Sequence, residues 1–386
     1  MKIKKITPFL LNPGIPKTKN WLFVKVETDD GIHGWGECYT QPDRERSIKV
    51  FVEELERYLV GRSPFNIKHF TYAAYNDFAT KRGSMDYYSA ISGIEHALWD
   101  IVGKALNQPV YNLLGGACRE KIRVYANGWG NWYSSDDVVE NAKRLIKEGF
   151  TALKFDPFPG PWREYINKND VQNAADKVKS IRQAVGPGID LLIENHRRLA
   201  PAYAVMFADK ITEYNPYWFE EPVSSRNLSA LIKASQRIDL PIVTGEELYT
   251  KNEFCPIFEN QVADIINPDV ANCGGILELK EIAAMAEPYC IGVSPHNYNS
   301  TTIGLAATIQ AAAVMPNFVI TEYFINFSEV GKIISKNPLE VKNGFIELPN
   351  IPGLGLELDE SKFSQYTDNF LPKRKILNYY EEKGGI

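Results

Sequence analysis

One pattern occurs three times within residues 189–250: an apolar run that ends in a glutamate. The runs are LLIE at 191–194, YWFE at 217–220 and PIVTGE at 241–246, and both intervals between their glutamates are 26 residues long. One strand, one helix and two loops of a (β/α) barrel take about that length. The equal spacing therefore predicts that the three glutamates lie at the same end of three neighbouring parallel strands, where barrel enzymes collect their catalytic groups.

These glutamates, Glu194, Glu220 and Glu246, are the predicted metal ligands. A lone glutamate at a strand end is usually a solvated loop residue or a helix cap, and the equal spacing argues against that interpretation for the set. Three converging carboxylates cannot all stay ionised unless a cation lies between them. Oxygen ligands alone favour a hard divalent ion, so we predict Mg²⁺ as the cofactor.

Composition narrows the class of protein. The chain has 386 residues and a formal net charge of -5, so it lacks the basic surface that marks most nucleic-acid-binding proteins. No apolar run approaches the roughly 18 residues that a membrane-spanning helix needs. Five widely spaced cysteines form no CxxC pair, which favours free thiols and a cytoplasmic location. We therefore expect a small-molecule partner, and neither nucleic acid nor membrane.

Residues 1–120 are predicted to form an α+β module. Alternating apolar residues indicate an antiparallel meander, and apolar residues at helical spacing follow it. The predicted strands lie near residues 3–10, 22–26 and 34–37, and the predicted helices at 44–60 and 86–106.

From residue 121 to residue 330 apolar strands alternate with amphipathic helices, which indicates parallel βα units. Eight strands are predicted, as many as a TIM-type barrel contains. They lie near residues 122–127, 151–156, 189–194, 217–220, 241–244, 263–267, 290–294 and 317–322, with helices between them such as 170–185 and 274–287. Residues 331–386 resume short strands and are predicted to pack back on the first module.

Polar residues follow several of these strands at the same barrel end. Alternation along the second strand places Lys154 and Asp156 on one side, facing into the barrel. His196 lies two residues beyond the predicted ligand Glu194. A less specific interpretation remains open, in which Lys154 is only an ion-pair partner of Asp156.

The later strands contribute Asp269, His296 and Glu322. A lone histidine is more often structural than catalytic, and Asp269 could cap the helix that follows it. Together, however, these groups can remove a proton next to a carboxylate. A divalent metal would hold the substrate carboxylate and stabilise the enediolate, His296 would take the α-proton with Asp269 orienting its ring, and His196 would deliver a proton from another side.

Six motifs, spread over nearly the whole chain, resemble the enolase superfamily in its mandelate racemase/muconate lactonizing enzyme branch. They are GWGE at 34–37, ISGIEHALWDIVGKALNQPVYNLLGG at 91–116, WFEEP at 218–222, VTGE at 243–246, NPD at 267–269 with GG at 274–275, and PGLG at 352–355. The resemblance implies an α/β fold, a modified (β/α)7β barrel of the TIM type under an α+β capping domain built from both chain ends. It also implies Mg²⁺ bound by Glu194, Glu220 and Glu246.

Within that branch the chain is most similar to the acid-sugar dehydratases, such as the galactonate and gluconate dehydratases. The similarity lies in the carboxylate-x-His motif at Glu194-Asn195-His196. It implies that His196 protonates the departing 3-hydroxyl and that His296, paired with Asp269, takes the C2 proton. Glu322 is implied to be catalytic and to hydrogen-bond the substrate carboxylate.

Two departures from the family pattern bear on the reaction. Glu194 stands where aspartate is commoner, and the second strand carries Lys154-Phe155-Asp156 where the racemases have Lys-x-Lys. The second position cannot be a lysine base, so Lys154 and Asp156 are assigned to substrate binding. We predict dehydration of an aldonate (gluconate, galactonate or a pentonate such as arabinonate) to its 2-keto-3-deoxy acid, with an epimerase, racemase or cycloisomerase of a carboxylate substrate as the alternative.

The resemblance further implies a homo-oligomer. We expect substrate specificity to depend on the capping domain near residues 15–40 and 80–88 and on the barrel loops around 128–133 and 157–165. Three aromatic residues of these loops either line the pocket or pack between domains: Trp129, Trp132 and Tyr133.

Overall fold

A computed structural model describes residues 1–15, 19–78, 81–130, 137–158 and 168–366. Trp132, Tyr133 and most of the predicted specificity loop at 157–165 lie outside these ranges, as do parts of the regions 15–40 and 80–88 and the chain beyond residue 366.

The N-terminal strands form the predicted antiparallel meander. A three-stranded sheet has the order β1-β2-β3, with β1 at Ile3–Leu11, β2 at Trp21–Thr28 and β3 at His33–Cys38. Three helices follow it: α1 at Glu45–Leu55, α2 at Ile67–Ala73 and α3 at Met85–Ala105.

Helix α3 lies directly against β3, and two glycines permit the close approach. A Cβ atom placed on Gly36 would lie 1.7 Å from the carbonyl oxygen of Gly93 in α3, and one on Gly34 would lie 2.1 Å from that of Ala97. The glycines of the GWGE motif are therefore explained by packing, because any side chain would force the strand away from the helix.

Eight parallel strands then form the barrel in the order β10-β9-β8-β7-β6-β5-β4-β11. The strands are β4 at Lys121–Asn127, β5 at Ala152–Phe155, β6 at Asp190–Glu194, β7 at Trp218–Glu220, β8 at Ile242–Thr244, β9 at Ile265–Ile266, β10 at Gly292–Val293 and β11 at Thr321–Phe324. The predicted TIM-type architecture is confirmed.

The barrel closes between its last two strands through a single backbone bridge. Val293 accepts a hydrogen bond from the amide of Val319 (2.8 Å) and donates one to the carbonyl of Asn317 (2.9 Å). The last strand was predicted at 317–322, but it begins only at Thr321. The residues before it meet β10 at this isolated bridge and form no continuous ladder.

The remaining helices lie between the strands or follow them. They are α4 at Val110–Leu113, α5 at Val138–Lys147, α6 at Lys168–Val185, α7 at Pro201–Ile211, α8 at Leu228–Ser235, α9 at Thr250–Asn260, α10 at Ile276–Ala286, α11 at Ile303–Ala313 and α12 at Ser328–Ile334. Helix α10 starts two residues later than predicted because Gly274 and Gly275 have φ angles of 123° and 101°, outside the helical region.

Two buried carboxylates of the N-terminal module bind the beginnings of barrel helices. Glu95 of α3 accepts the backbone N–H groups of Ile276 (2.8 Å) and Leu277 (3.0 Å) at the start of α10. Glu37 of β3 accepts the N–H of Gly304 in α11 at 2.8 Å. Unpaired N–H groups and the helix dipole make a helix start a favourable place for a carboxylate.

The chain returns to the N-terminal module after the barrel. Strand β12 at Phe345–Glu347 pairs antiparallel with β4. Beyond it, the amide of Leu354 donates to Asp100 of α3 at 2.9 Å, and Glu357 binds Lys104 and His33 at 2.8 and 2.7 Å. The return of the C-terminal segment agrees with the prediction, whereas the domain limits at residues 120 and 330 stay predictions.

No helix in the described ranges has the length and apolar character to cross a bilayer.

Candidate active site

The three glutamates converge as their spacing predicts. Glu194 and Glu220 end adjacent strands and are register partners, and Glu246 follows β8 after Gly245. Each offers a carboxylate oxygen, and the three oxygens lie within 4.8 Å of one another. Such a set of hard oxygen donors is suited to a divalent cation such as Mg²⁺.

The charges of these carboxylates show why a cation fits among them. Burial and the neighbouring Glu194 raise the pKa of Glu220 well above its ordinary value. Burial also opposes ionisation of Glu194 and Glu246. His196 and Lys154 nevertheless lower the pKa of Glu194, and Arg197 and His296 lower that of Glu246 to about 2. A divalent ion between them would remove the repulsion that now falls on Glu220.

Lys154 lies between the glutamate set and Glu322. Its ammonium is 2.6 Å from Glu220, 3.2 Å from Glu322 and 3.4 Å from Glu194, and the residue is 2% exposed. Burial disfavours its charge, but these carboxylates hold its pKa well above the ordinary value. Asn267 also donates to Glu220, at 2.9 Å. The interpretation of Lys154 as a simple partner of Asp156 is thus not supported.

His296 and Asp269 form the predicted pair. Nδ1 of His296 is 2.8 Å from Asp269, and Nε2 faces Glu246 at 3.2 Å and Glu322 at 3.5 Å. Burial lowers the pKa of His296, but Glu322, Glu246 and Asp269 outweigh burial and raise it to about 9. The hydrogen bond to Asp269 leaves Nε2 as the nitrogen that faces the glutamates.

Glu322 projects from β11 into the same space and is held on both oxygens. Asn127 donates to one oxygen at 2.7 Å, and the backbone amide of Asn297 donates to the other at 3.1 Å. Burial raises its pKa, yet Lys154 and His296 outweigh burial and keep it below the ordinary value. The carboxylate is therefore ionised and fixed in orientation.

His196 approaches the glutamates from the side of Glu194. Its backbone N–H donates to Glu194 at 2.6 Å, and its Nδ1 is 2.7 Å from Asp156. Its φ of 49° and that of Arg197, 62°, are left-handed, a conformation that costs energy in non-glycine residues and is found at functional sites.

Asp156 makes two contacts that sequence analysis did not predict. It binds both His196 and the buried guanidinium of Arg198, so it orients an imidazole. Direct substrate binding by Asp156 and Lys154 stays a prediction. Asp269 is not a helix cap, since its oxygens bind His296 and the amide of Ala271 in the loop before α10.

Sequence reasoning missed two arginines. Arg197 contacts Glu246 and lies 3.8 Å from Glu221, and Arg198 binds Asp156. The available signal was their position directly after the carboxylate-x-His motif, where two adjacent cations follow two predicted functional residues. Trp129 is 2% exposed and packs edge-on against Phe155, and whether it also lines the pocket stays a prediction.

Two imidazoles, each hydrogen-bonded to its own aspartate, adjoin the three glutamate carboxylates. His196 adjoins Glu194, and His296 adjoins Glu246. Such a site can bind a carboxylate substrate through a cation and move protons at two different positions.

Comparisons with known proteins agree with this geometry. Residues 2–115 match the N-terminal domain of mandelate racemase/muconate lactonizing enzyme, and residues 137–362 match the enolase C-terminal domain-like family. The D-gluconate/D-galactonate dehydratase of Picrophilus torridus is 34% identical over 363 residues, covering 93% of this chain and 92% of that protein.

Solved structures extend the comparison to the whole architecture. A mandelate racemase/muconate lactonizing enzyme from Sulfitobacter sp. is 32% identical with a TM-score of 0.90, over 98% of this chain and 100% of that one. A member of the enolase superfamily from Salmonella Typhimurium is 29% identical with a TM-score of 0.87, over 95% and 98% of the two chains. The chain therefore belongs to the enolase superfamily, in its mandelate racemase/muconate lactonizing enzyme branch.

Proposed function

We propose that the protein is an Mg²⁺-dependent acid-sugar dehydratase that converts an aldonate to its 2-keto-3-deoxy acid. The substrates we expect are gluconate, galactonate or a pentonate such as arabinonate. The observation that carries the proposal is the position of His196, whose backbone N–H donates to Glu194 and whose imidazole is held by Asp156, while the His296–Asp269 pair adjoins Glu246. Dehydration needs two such groups, one to remove the C2 proton and one to protonate the 3-hydroxyl.

Glu194, Glu220 and Glu246 would hold the Mg²⁺ ion. When bound, the ion supplies a fixed positive charge that binds the substrate carboxylate and offsets the charge that develops as the C2 proton leaves.

His296 in its neutral form takes the C2 proton on Nε2, and the electron pair of the broken C–H bond enters the substrate as an enediolate. The neutral form would be favoured once a cation at Glu246 offsets the carboxylate charge that raises the pKa of His296. Asp269 stabilises the cation that His296 becomes, because it accepts a hydrogen bond from Nδ1. Glu322 faces the same nitrogen and is fixed by Asn127 and Asn297. It would bind the substrate carboxylate through a proton that the two groups share, and that hydrogen bond would strengthen as the enediolate forms.

His196 completes the elimination. As the electron pair moves to form the C2–C3 double bond, the C3–O bond breaks and His196 donates a proton to the departing oxygen, which leaves as water. The resulting enol becomes the 2-keto-3-deoxy acid by taking a proton at C3 and releasing the proton of its C2 hydroxyl. Asp156 orients the imidazole for this step, and Arg198 holds Asp156.

The printed activity of the Picrophilus torridus relative, a D-gluconate/D-galactonate dehydratase, supports the same reaction class. Isomerisation without loss of water is less favoured here, since the second strand offers Asp156, which is engaged with His196 and Arg198, in place of a base on the opposite face.

The test is to incubate the purified protein with Mg²⁺ and a panel of hexonates and pentonates, and to assay for 2-keto-3-deoxy acids with EDTA as control. Formation of the keto acid that EDTA abolishes would support the proposal and name the substrate. A product of unchanged mass would instead indicate an epimerase or cycloisomerase, and no product from any aldonate would contradict the proposal.

We also propose a cytoplasmic location and a homo-oligomeric state. The first is supported by five cysteines that form no disulfide, and the second by the resemblance to a family of oligomeric enzymes.

A further inference from the structure

A lysine of the N-terminal module reaches the mouth of the barrel. Lys19 lies in the connection between β1 and β2 and is 2% exposed. Its ammonium lies over two tyrosine rings, 5.0 Å from the centre of Tyr39 and 5.1 Å from that of Tyr298. Both rings border the proposed base, since their centres lie 6.3 and 6.1 Å from the imidazole of His296.

The hydrogen-bonding capacity of this ammonium is unused. It forms neither a hydrogen bond nor an ion pair with the residues that the structure describes. Glu37 exerts the strongest attraction on it, followed by Asp269. One oxygen of Glu37, however, already accepts from Ser300, Thr302 and Gly304. A buried ammonium has three donors to satisfy, and leaving them without acceptors is unfavourable.

We propose that Lys19 binds the far end of the acid sugar and donates hydrogen bonds to hydroxyl oxygens beyond C3. The inference rests on the proposed function, in which the glutamate set holds the carboxylate end and His296 faces C2. The rings of Tyr39 and Tyr298 lie 6.3 and 6.1 Å from that imidazole, so a substrate whose C2 faces His296 brings its carbons beyond C3 within reach of the two rings and of the ammonium.

Hydroxyl groups suit this place better than a second carboxylate. Glu37, Asp269 and Glu322 already direct negative charge at the ammonium, so a further anion would be repelled by them. The faces of the tyrosine rings can pack against the C–H groups of a sugar chain, while the ammonium supplies the directional contacts.

The experiment compares wild type and Lys19→Met on two substrates: the hexonate that wild type uses best and the shortest aldonate that it turns over. Loss of a charged hydrogen bond should lower kcat/KM for the hexonate by about 10- to 100-fold. The shorter substrate has fewer hydroxyls beyond C3, so its kcat/KM should fall less and the ratio between the two should decrease. Lys19→Gln keeps two N–H donors and should fall between wild type and Lys19→Met.

Lys4→Met is the matched control, because Lys4 is an exposed lysine of β1; its substrate ratio should equal that of wild type. If Lys19→Met leaves the ratio of kcat/KM for the two substrates unchanged, whether both values fall or neither does, the inference is overturned. The proposed function still stands in that case, because wild type turns over the aldonates. Failure of wild type to dehydrate any aldonate overturns both.

Discussion

At the scale of single residues, the two histidines should separate proton removal from elimination. His296→Asn is expected to abolish both turnover and exchange of the substrate α-proton in deuterated water, a loss of about 100- to 10,000-fold. His196→Asn should stop elimination and retain exchange, because the base and the carboxylate-binding groups remain. Mass spectrometry of recovered substrate measures exchange, and an assay for the keto acid measures elimination.

His69→Asn is the control for this pair, since His69 is exposed on the N-terminal module. Exchange retained by His296→Asn would remove that residue from the role of base. Full elimination by His196→Asn would remove it from the role of acid.

The residues that sequence analysis located share one property: they lie at a fixed place in a local pattern. Glu194, Glu220 and Glu246 end apolar runs, so strand geometry alone brings them together. Arg197 was not predicted, and Lys19 was covered only by the predicted specificity region 15–40, because their contacts depend on how loops from different elements meet. The contact of Arg197 with Glu246 joins the loops after β6 and β8, and Lys19 enters the barrel mouth from another module. Nothing in the local sequence encodes either distance.

At the scale of elements, the packing of β3 on α3 should tolerate no side chain. Gly36→Ala places a Cβ atom within 1.7 Å of a backbone oxygen in α3, and neither backbone can move without disturbing its own hydrogen bonds. We expect a loss of at least about 2 kcal/mol in the free energy of unfolding, measured by urea denaturation.

Gly188→Ala provides the comparison, because a Cβ atom there meets nothing within 4 Å. It should leave the unfolding free energy nearly unchanged. Equal stability of the two variants would show that β3 and α3 lie farther apart than described.

The contact of the C-terminal segment with α3 should weaken in acid. Burial raises the pKa of Glu357, but the hydrogen bond with His33 and the charge of Lys104 outweigh burial and lower it from an ordinary 4.5 to about 2. A carboxyl group whose pKa is lowered by folding stabilises the folded state above its unfolded pKa, and this contribution is lost as pH falls from 4.5 towards 2.

Urea midpoints at about pH 5 and about pH 3 test this window. Glu357→Gln should be less stable than wild type at the higher pH, and the difference should shrink at the lower pH. Glu340→Gln, at an exposed glutamate paired with Lys342, should show no such convergence. A constant gap between Glu357→Gln and wild type would contradict the assignment.

The start of the last barrel strand is a feature of the elements that the sequence pattern does not predict correctly. The pattern at 317–322 predicts one strand, yet only its end at Thr321 joins the continuous ladder of β11 with β4. Residues 318–320 are as apolar as a strand requires, but closure of the barrel depends on the position of β10, which is remote in sequence.

At the scale of the whole molecule, the metal should stabilise the fold. Binding to the folded state alone adds about 2.7 kcal/mol when free Mg²⁺ exceeds its dissociation constant by about 100-fold. EDTA should lower the melting temperature and Mg²⁺ should restore it, as calorimetry would record.

The variant Glu220→Gln distinguishes stabilisation by bound Mg²⁺ from a general loss of folding stability. Burial and Glu194 already disfavour the ionised form of Glu220, so the variant should be no less stable than wild type in EDTA, while the rise with Mg²⁺ should disappear. A full rise in Glu220→Gln would exclude Glu220 as a ligand.

The two carboxylates that the N-terminal module inserts at the starts of α10 and α11 have a consequence for evolution and engineering. Glu95 and Glu37 are buried and bind backbone amides of the barrel, and these partners are defined by main-chain position. Glu37 also accepts from barrel side chains, the hydroxyls of Ser300 and Thr302. A chimaera that joins this barrel to the module of another family member would keep the same backbone N–H donors for any incoming carboxylate. Recombination between relatives can therefore change the residues above the barrel mouth, and with them the substrate, while the attachment of one module to the other is inherited unchanged.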